Sequence, residues 1–445
     1  MVGKSSISEQ PLGDGLLLRS ARSSADIERL MAFNASIHGP GLAALTHALM
    51  VEHPQARLDY WLFIEDVATQ RVAASLCLLP WTLRYGVVQL RAAEMGIVGT
   101  AEDFRRRGLV KALNKRFNEV LLRDSFDLSI IQGIPYFYRQ FGYEYAMPLE
   151  LWCRVELHQF RALAENERTF SVRRASDADL PQLERLYNEA ALSLDIATVR
   201  DTATWRYLLG AGLTTETGGE TLLVIAANGH AVGYVRVMAH GFGDGLICGE
   251  ASLMPAEAAL AVLAWLCDLA RERGKLYLRL NLPPGHVLNM LALHHGAHDG
   301  GGYAWQIKVP DAAALLHKLA PLFAQRLQAS AFAGWQGTLA VNLYQETLAL
   351  HFEAGLLTQL EALLPGTWGD LRLPPQLLAP LALGWRSLAE LKYAFPDVNG
   401  AAMAWSLANV LFPPQRAFLY GIYGWPDPLY GKDARKDPGC GAEAV

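Results

Sequence analysis

The sequence predicts an α/β chain in which a mixed-sheet unit occurs twice and a smaller α+β unit follows. Three observations carry this. Between Glu94 and Tyr143 the order reads strand, short basic turn, helix, strand. The start of that unit, Leu18-Arg19-Ser20-Ala21 with a capped helix behind it, returns as Val172-Arg173-Arg174-Ala175, and an internal repeat constrains the architecture more than any single element does. Beyond Pro310 the pattern changes to strict alternation and leucine-rich helices.

In chain order, residues 1–16 are Gly- and Ser-rich and read as a loose arm. Ser24 to Leu30 reads as the first helix, with strands over 58–65 and 72–79. Tyr85-Gly86 supplies a turn between 81–83 and 87–90. Residues 94–100 form the strand that enters the basic turn Arg105-Arg106-Arg107-Gly108. Leu109, Leu113, Phe117, Val120 and Leu121 then fall on one helical face. Residues 126–131 are a strand, closing this unit near residue 155. The charged segment 156–167 is the expected connection.

In the second copy, 179–186 repeats the first helix. Strands follow at 221–226 and 230–238 around an Asn228-Gly229 hairpin signal, then a helix over 256–273 and a strand over 276–282. The turn equivalent to the basic one reads Ser252 to Glu257, with no arginine, so this copy is expected to be silent. The third unit begins with a helix over 311–327. Alternation follows over 338–352, interrupted by Gln345-Glu346, and then helices over 377–383 and 401–411. The expected division is 1–155, 156–309, 310–425 and a polar tail, 426–445.

A glycine beside arginines where a strand becomes a helix makes an anion site. The first N–H groups of the helix are free and its dipole is positive there, and the arginines add charge-assisted bonds. Arg105-x-x-Gly108 resembles the pyrophosphate-binding motif of the GCN5-related N-acetyltransferases (GNAT), although Val110 stands where that family has Gly or Ala. Phe137-Tyr138-x-x-Phe141-Gly142-Tyr143 is similar to the family's closing motif. The Arg-Arg-Arg-Gly-Leu form and three-part length resemble the Eis-like members, whose third domain is sterol-carrier-protein-like. Gly384 to Leu388 and Leu411-Phe412-Pro413 carry that last likeness.

The resemblance implies tandem GNAT folds with central mixed sheets and an α+β sterol-carrier-like end. It implies acetyl-CoA as co-substrate and a primary amine as acceptor: a polyamine, an aminoglycoside or a lysine side chain. Arg105, Arg106, Gly108 and Leu109 would hold the pyrophosphate, and the backbone of Val98 and Thr100 the pantetheine. Tyr138 would be the general acid. Glu94, eleven residues before Arg105, would be the base, and strand alternation puts it on the face of Val98. A backbone N–H near Val98 would serve as oxyanion donor. The same residues have structural readings: a solvated arginine run, a core tyrosine, and a strand glutamate that is either solvent-exposed or a partner for Arg91. In Eis-like enzymes the terminal carboxylate lies at the catalytic centre; the extra tail ending at Val445 sets this chain apart. The alternative function is a non-catalytic carrier of an apolar ligand with a vestigial CoA site.

Other classes fare worse. A net charge of -5 argues against a nucleic-acid partner. Five cysteines without a CxxC pair suit a reducing cytoplasm and give no zinc signature. His294, His295 and His298 lie close together, but Gly296 and Gly300 to Gly302 argue against the helix that would let them share a metal, so none is expected. Trp61, Trp81 and Tyr85 are candidates either for core or for a cationic-substrate pocket. The N-terminus lacks a signal-peptide core, and the apolar run 258–267 is too short to span a bilayer. Self-association is left open.

Overall fold

The computed structural model describes residues 9–162, 164, 169–241 and 243–424. The expected tail 426–445, with Cys440 and the Val445 carboxylate, lies outside them, as do the start of the N-terminal arm and part of the expected connection.

The first half runs β1 (Gln10–Gly13), β2 (Leu16–Ser20), α1 (Ser24–His38), α2 (Gly41–His47), β3 (Trp61–Asp66), β4 (Val72–Tyr85), β5 (Val88–Thr100), α3 (Leu109–Arg123), β6 (Leu128–Ile131) and β7 (Glu144–Glu156). Ser23 caps α1 through a reciprocal box with Asp26, and Asp26 also receives Arg19 at 2.7 Å. Strands expected over 72–79 and 81–83 are one strand, β4, which continues through Pro80.

The second half repeats the plan: β8 (Phe170–Arg174), α4 (Leu180–Leu192), β9 (Ile196–Thr198), α5 (Thr202–Leu209), β10 (Gly219–Ala226), β11 (Ala231–Met238), β12 (Gly245–Ala251), α6 (Ala256–Glu272), β13 (Tyr277–Asn281), α7 (Val287–His294) and β14 (His298–Lys308). The Arg19–Asp26 pair recurs as Arg173–Asp179 at 2.6 Å. In each half the strand before the long helix runs parallel to the strand after it: β5 with β6, and β12 with β13.

The halves share one sheet in the order β1-β2-β3-β4-β5-β6-β14-β7-β13-β12-β11-β10-β8. They exchange strands. β14, from the second half, pairs with β6 (Ile307 opposite Ile130), while β7, from the first, pairs with β13 (Val155 opposite Leu278). The glycine run of β14 permits this, since a Cβ at Gly300 would sit in the Trp152 ring of β7. Those glycines, which argued against a helix, belong to a strand.

The third unit comprises α8 (Ala312–Lys318), α9 (Ala320–Gln328), β15 (Gly337–Asn342), β16 (Thr347–Glu353), β17 (Leu356–Ala362), β18 (Leu371–Arg372), α10 (Leu378–Ala382), α11 (Leu388–Ala394), β19 (Asn399–Gly400), α12 (Ala402–Leu411) and β20 (Ala417–Phe418). Its sheet order is β17-β16-β15-β18-β19. The helix expected over 311–327 is two helices. They meet at Leu319, because Pro321 has no N–H to continue the first ladder and opens the second. Leu339, Val341, Leu348, Leu350 and Phe352 are all buried, as alternation requires. Tyr85 donates to the Ala382 carbonyl at 2.9 Å, joining this unit to the first half. After α12 the chain returns to the large sheet, where β20 pairs with β9.

Candidate active site

At the end of parallel strands β5 and β6 lies a cavity of about 450 Å³. It opens because β5 carries an extra residue. Cys77 on β4 faces Gly96 while Ser75 faces Gly99, and Ile97 takes a left-handed φ of 48°. Such a bulge bends its strand and leaves a residue outside the ladder. It also reverses side-chain parity. Val98 packs with Ala93, Met95 and Leu109 on the α3 side, whereas Glu94 meets Trp81 on the opposite face. Simple alternation had put Glu94 and Val98 on one face; the bulge is why they part. Both still border the cavity.

The carboxylate of Glu94 is buried and caged. Trp81 Nε1 donates to Oε2 at 2.9 Å. Gln132 Nε2 and the Tyr423 hydroxyl donate to Oε1 at 3.0 and 2.9 Å. Burial pushes its pKa up to about 7, against the pull of the three donors. A carboxyl poised near neutrality can accept a proton at pH 7 and release it again. No partnership of Glu94 with Arg91 occurs; Arg91 stacks over Phe126 at 4.6 Å.

Tyr138 lies in a short 3₁₀ turn, Phe137–Phe141, and lines the same cavity. Its ring is fixed edge-on to Phe137 and Tyr143, at 5.0 and 6.1 Å. Its other side rests on Gly133, where any Cβ would collide with the ring. Tyr143 is instead a core residue, its hydroxyl 2.6 Å from Ser129 Oγ.

The basic turn meets the cavity through Arg105; Arg106, Gly108 and Leu109 are not among its lining residues. Among the described residues neither Arg105 nor Arg106 forms an ion pair. Arg107 is turned away toward Asp14 at 3.5 Å. Arg106 (φ 62°) and Gly108 (φ 74°) are both left-handed, and Gly108 caps α3 with open space before it. This arrangement aims the first N–H groups of α3 outward as an anion cradle. Leu109 is buried under the turn. Thr100 ends β5 with its hydroxyl buried and without a hydrogen-bond partner, and it is not among the cavity-lining residues.

Ser36, Ile37 and His38 at the end of α1 complete the wall. Burial lowers the pKa of His38 to about 4, so its imidazole is neutral. The sequence reading missed His38, Gln132 and Tyr423. Gln132 stands directly before Gly133-Ile134-Pro135 and could have been suspected; Tyr423 carries no local signal. Trp61, Trp81 and Tyr85 are buried core and are not among the residues lining the cavity. Among the described residues no group of three or more His, Cys, Asp or Glu is placed to hold a metal. His294 ends α7 and His298 opens β14, so they share no helix. No helix among these residues is long and apolar enough to cross a membrane.

Residues 50–146 match the acetyltransferase (GNAT) domain family. No curated protein sequence matches the chain. Among solved structures, it is similar to a conserved protein of unknown function from Enterococcus faecalis V583 (TM-score 0.68, 15% identity, covering 91% of this chain and 99% of that one). It is similar to a GCN5-related N-acetyltransferase from Anabaena variabilis (TM-score 0.66, 17% identity) and to Eis1 from Mycobacterium abscessus (TM-score 0.58, 16% identity), with the same two coverages in each case.

Proposed function

We propose that this protein is an acetyltransferase that moves the acetyl group of acetyl-CoA to a primary amine by direct attack, with Glu94 as base and Tyr138 as acid. The observation that carries the reading is a carboxyl with a pKa near 7 in the wall of a cavity that Arg105, from the turn into α3, also lines. The residues present fit the co-substrate: two arginines without ion-pair partners among the described residues and a left-handed glycine at a helix N-terminus suit a pyrophosphate. Acetyl-CoA supplies the activated thioester. Val98 and Thr100 offer strand backbone to its pantetheine, and Arg105, Arg106, Gly108 and Leu109 form the cradle.

An alkylamine is mostly protonated at pH 7 and must lose a proton before it can attack. Glu94 attracts the ammonium and takes that proton, directly or through water. A backbone N–H beside Val98, freed by the bulge, steadies the carbonyl oxygen. Tyr138 returns a proton to the departing sulfur. A polyamine, an aminoglycoside or a lysine side chain meets these needs equally. The likeness of the third unit to sterol-carrier domains rests on 384–388 and 411–413, and the division into units at 155, 309 and 425 is part of this reading. Four buried, free cysteines support a cytoplasmic setting.

The test is the pH dependence of kcat/KM for Glu94→Gln, using acetyl-CoA and a panel of amines. Gln keeps the shape but cannot take the proton. The variant should be slow at pH 7 and recover as pH nears the amine's own pKa. A profile that overlays the unmodified enzyme's rejects Glu94 as base.

A further inference from the structure

The reaction as drawn makes no use of how residues 417–424 are seated. All eight are buried. The Ile422 carbonyl lies 3.3 Å from His53 Nε2, and Thr217 Oγ1 donates to the Tyr423 carbonyl at 3.0 Å. Gly421 and Gly424 pass so close to neighbouring backbone that neither has room for a Cβ. Arg200 Nη2 donates to the Gly421 carbonyl at 2.6 Å. Arg200 is itself held by Glu250 in a buried bidentate pair at 2.6 and 2.8 Å, and Tyr234 donates to that carboxylate at 2.7 Å.

The place of this seat is informative. Glu250 follows an extra residue in β12: Val237 faces Cys248 while Arg236 faces Glu250, so Gly249 is bulged. This is the counterpart of the Ile97 bulge. Where the first half of the sheet opens a wide cavity, the bulge of the second half borders one of only about 10 Å³, walled in part by the chain's own residues Phe418 to Gly421. From that seat the Tyr423 hydroxyl crosses to the first half. It donates to Glu94 Oε1 at 2.9 Å and accepts from Gln132 Nε2 at 3.0 Å, with its ring edge-on to Trp81.

We propose that Tyr423 is a positioning residue of the acetyl transfer, delivered by a C-terminal segment seated in the second half of the sheet, where it orients the Glu94 carboxylate and sets its readiness to take a proton. The second half, without an anion turn of its own, thereby acts on the chemistry through Arg200 and this segment. The inference rests on the reading of Glu94 as base. The physical link is that a hydroxyl donating to a carboxylate favours its ionised form. The titratable groups facing Glu94 are Cys77 from β4 and Tyr423; the other neighbours, Trp81 and Gln132, are neutral donors. Burial, reinforced by the Glu94 charge, pushes Cys77 and Tyr423 well above their usual ranges, so both stay neutral and Glu94 alone titrates.

The experiment compares pH profiles of kcat/KM for the full chain with those of Tyr423→Phe, Glu94→Gln and the double variant. Tyr423→Phe should move the acidic limb to higher pH, lowering kcat/KM near pH 6 by about 3- to 10-fold, with calorimetric acetyl-CoA affinity unchanged. Glu94→Gln should remove the limb near pH 7 and leave only the rise toward the amine's own pKa, and the double variant should match it, since coupled residues are not additive. A Tyr423→Phe profile that keeps the wild-type limb, or is lowered equally at every pH, overturns the proposal even where Glu94→Gln behaves as a lost base. If Glu94→Gln retains the limb, the base reading fails and the proposal with it. A 3,5-difluorotyrosine at position 423 guards against misfolding of the Phe variant: it keeps the ring and is a stronger donor. Its limb should move to lower pH, and an unmoved limb counts against the proposal.

Discussion

At the scale of single residues, the site depends on what surrounds two side chains. Tyr138 is placed by Gly133, which has no Cβ for the ring to strike. Gly133→Ala should therefore displace Tyr138 and lower kcat by about 10-fold or more, and Tyr138→Phe, which removes only the proton, by about 10²-fold. Calorimetry should find acetyl-CoA affinity little changed in both. An unchanged kcat in Tyr138→Phe, with chemistry limiting, would reject its role as acid. Both Tyr138 and Glu94 could be nominated from sequence because each stands at a fixed distance from a recognisable motif. Their cages could not. Trp81 and Gln132, 13 and 38 residues from Glu94, reach it only because β5 pairs with β4 and β6, and Tyr423 only because the chain returns after three units.

At the scale of elements, the turn into α3 does two things. Its left-handed Gly108 sets the direction of the helix N-terminus, and the absence of a side chain keeps the approach open. Gly108→Ala should weaken acetyl-CoA binding through a backbone penalty of about 1–2 kcal/mol. Gly108→Asp should abolish it, because a carboxylate would oppose the pyrophosphate where the helix dipole attracts it. Titration calorimetry separates the two, and equal binding by all three proteins would remove the anion site from this turn. Periodicity made α3 legible, since its apolar face is continuous. The same reasoning missed the β5 bulge, because one inserted residue changes no composition and yet reverses parity. It also ran α8 into α9, where Pro321 was the overlooked signal.

For the whole molecule, two outcomes follow. Acetyl-CoA should bind once per chain, because the α6 N-terminus carries Glu257 and no arginine, and the matching bulge in β12 borders a cavity of only about 10 Å³. A stoichiometry of two by calorimetry would contradict this. Stability should also respond to pH with opposite signs at two sets of groups. Burial lowers His38, His53 and His286 from 6.5 to about 4. Their contribution is complete above the unfolded value of 6.5 and is lost as pH falls toward 4. Burial raises Glu94 from 4.5 to about 7, so its contribution is present below 4.5 and fades as pH rises through 7. Melting temperature should accordingly fall between pH 6.5 and 4. Relative to the unmodified protein, Glu94→Gln should be more favourable at pH 8 than at pH 5; a constant offset would contradict the buried titration.

The sequence by itself determined the alternation of elements, the repeated unit and the anion turn, because these depend on periodicity, glycine and charge within a few residues of one another. Tertiary structure alone decided the exchange of β7 and β14, the parity of Glu94, and the meeting of Tyr423 with a carboxylate 329 residues away. Those depend on which strands pair and on where a segment finds room, and no local stretch of the chain encodes either.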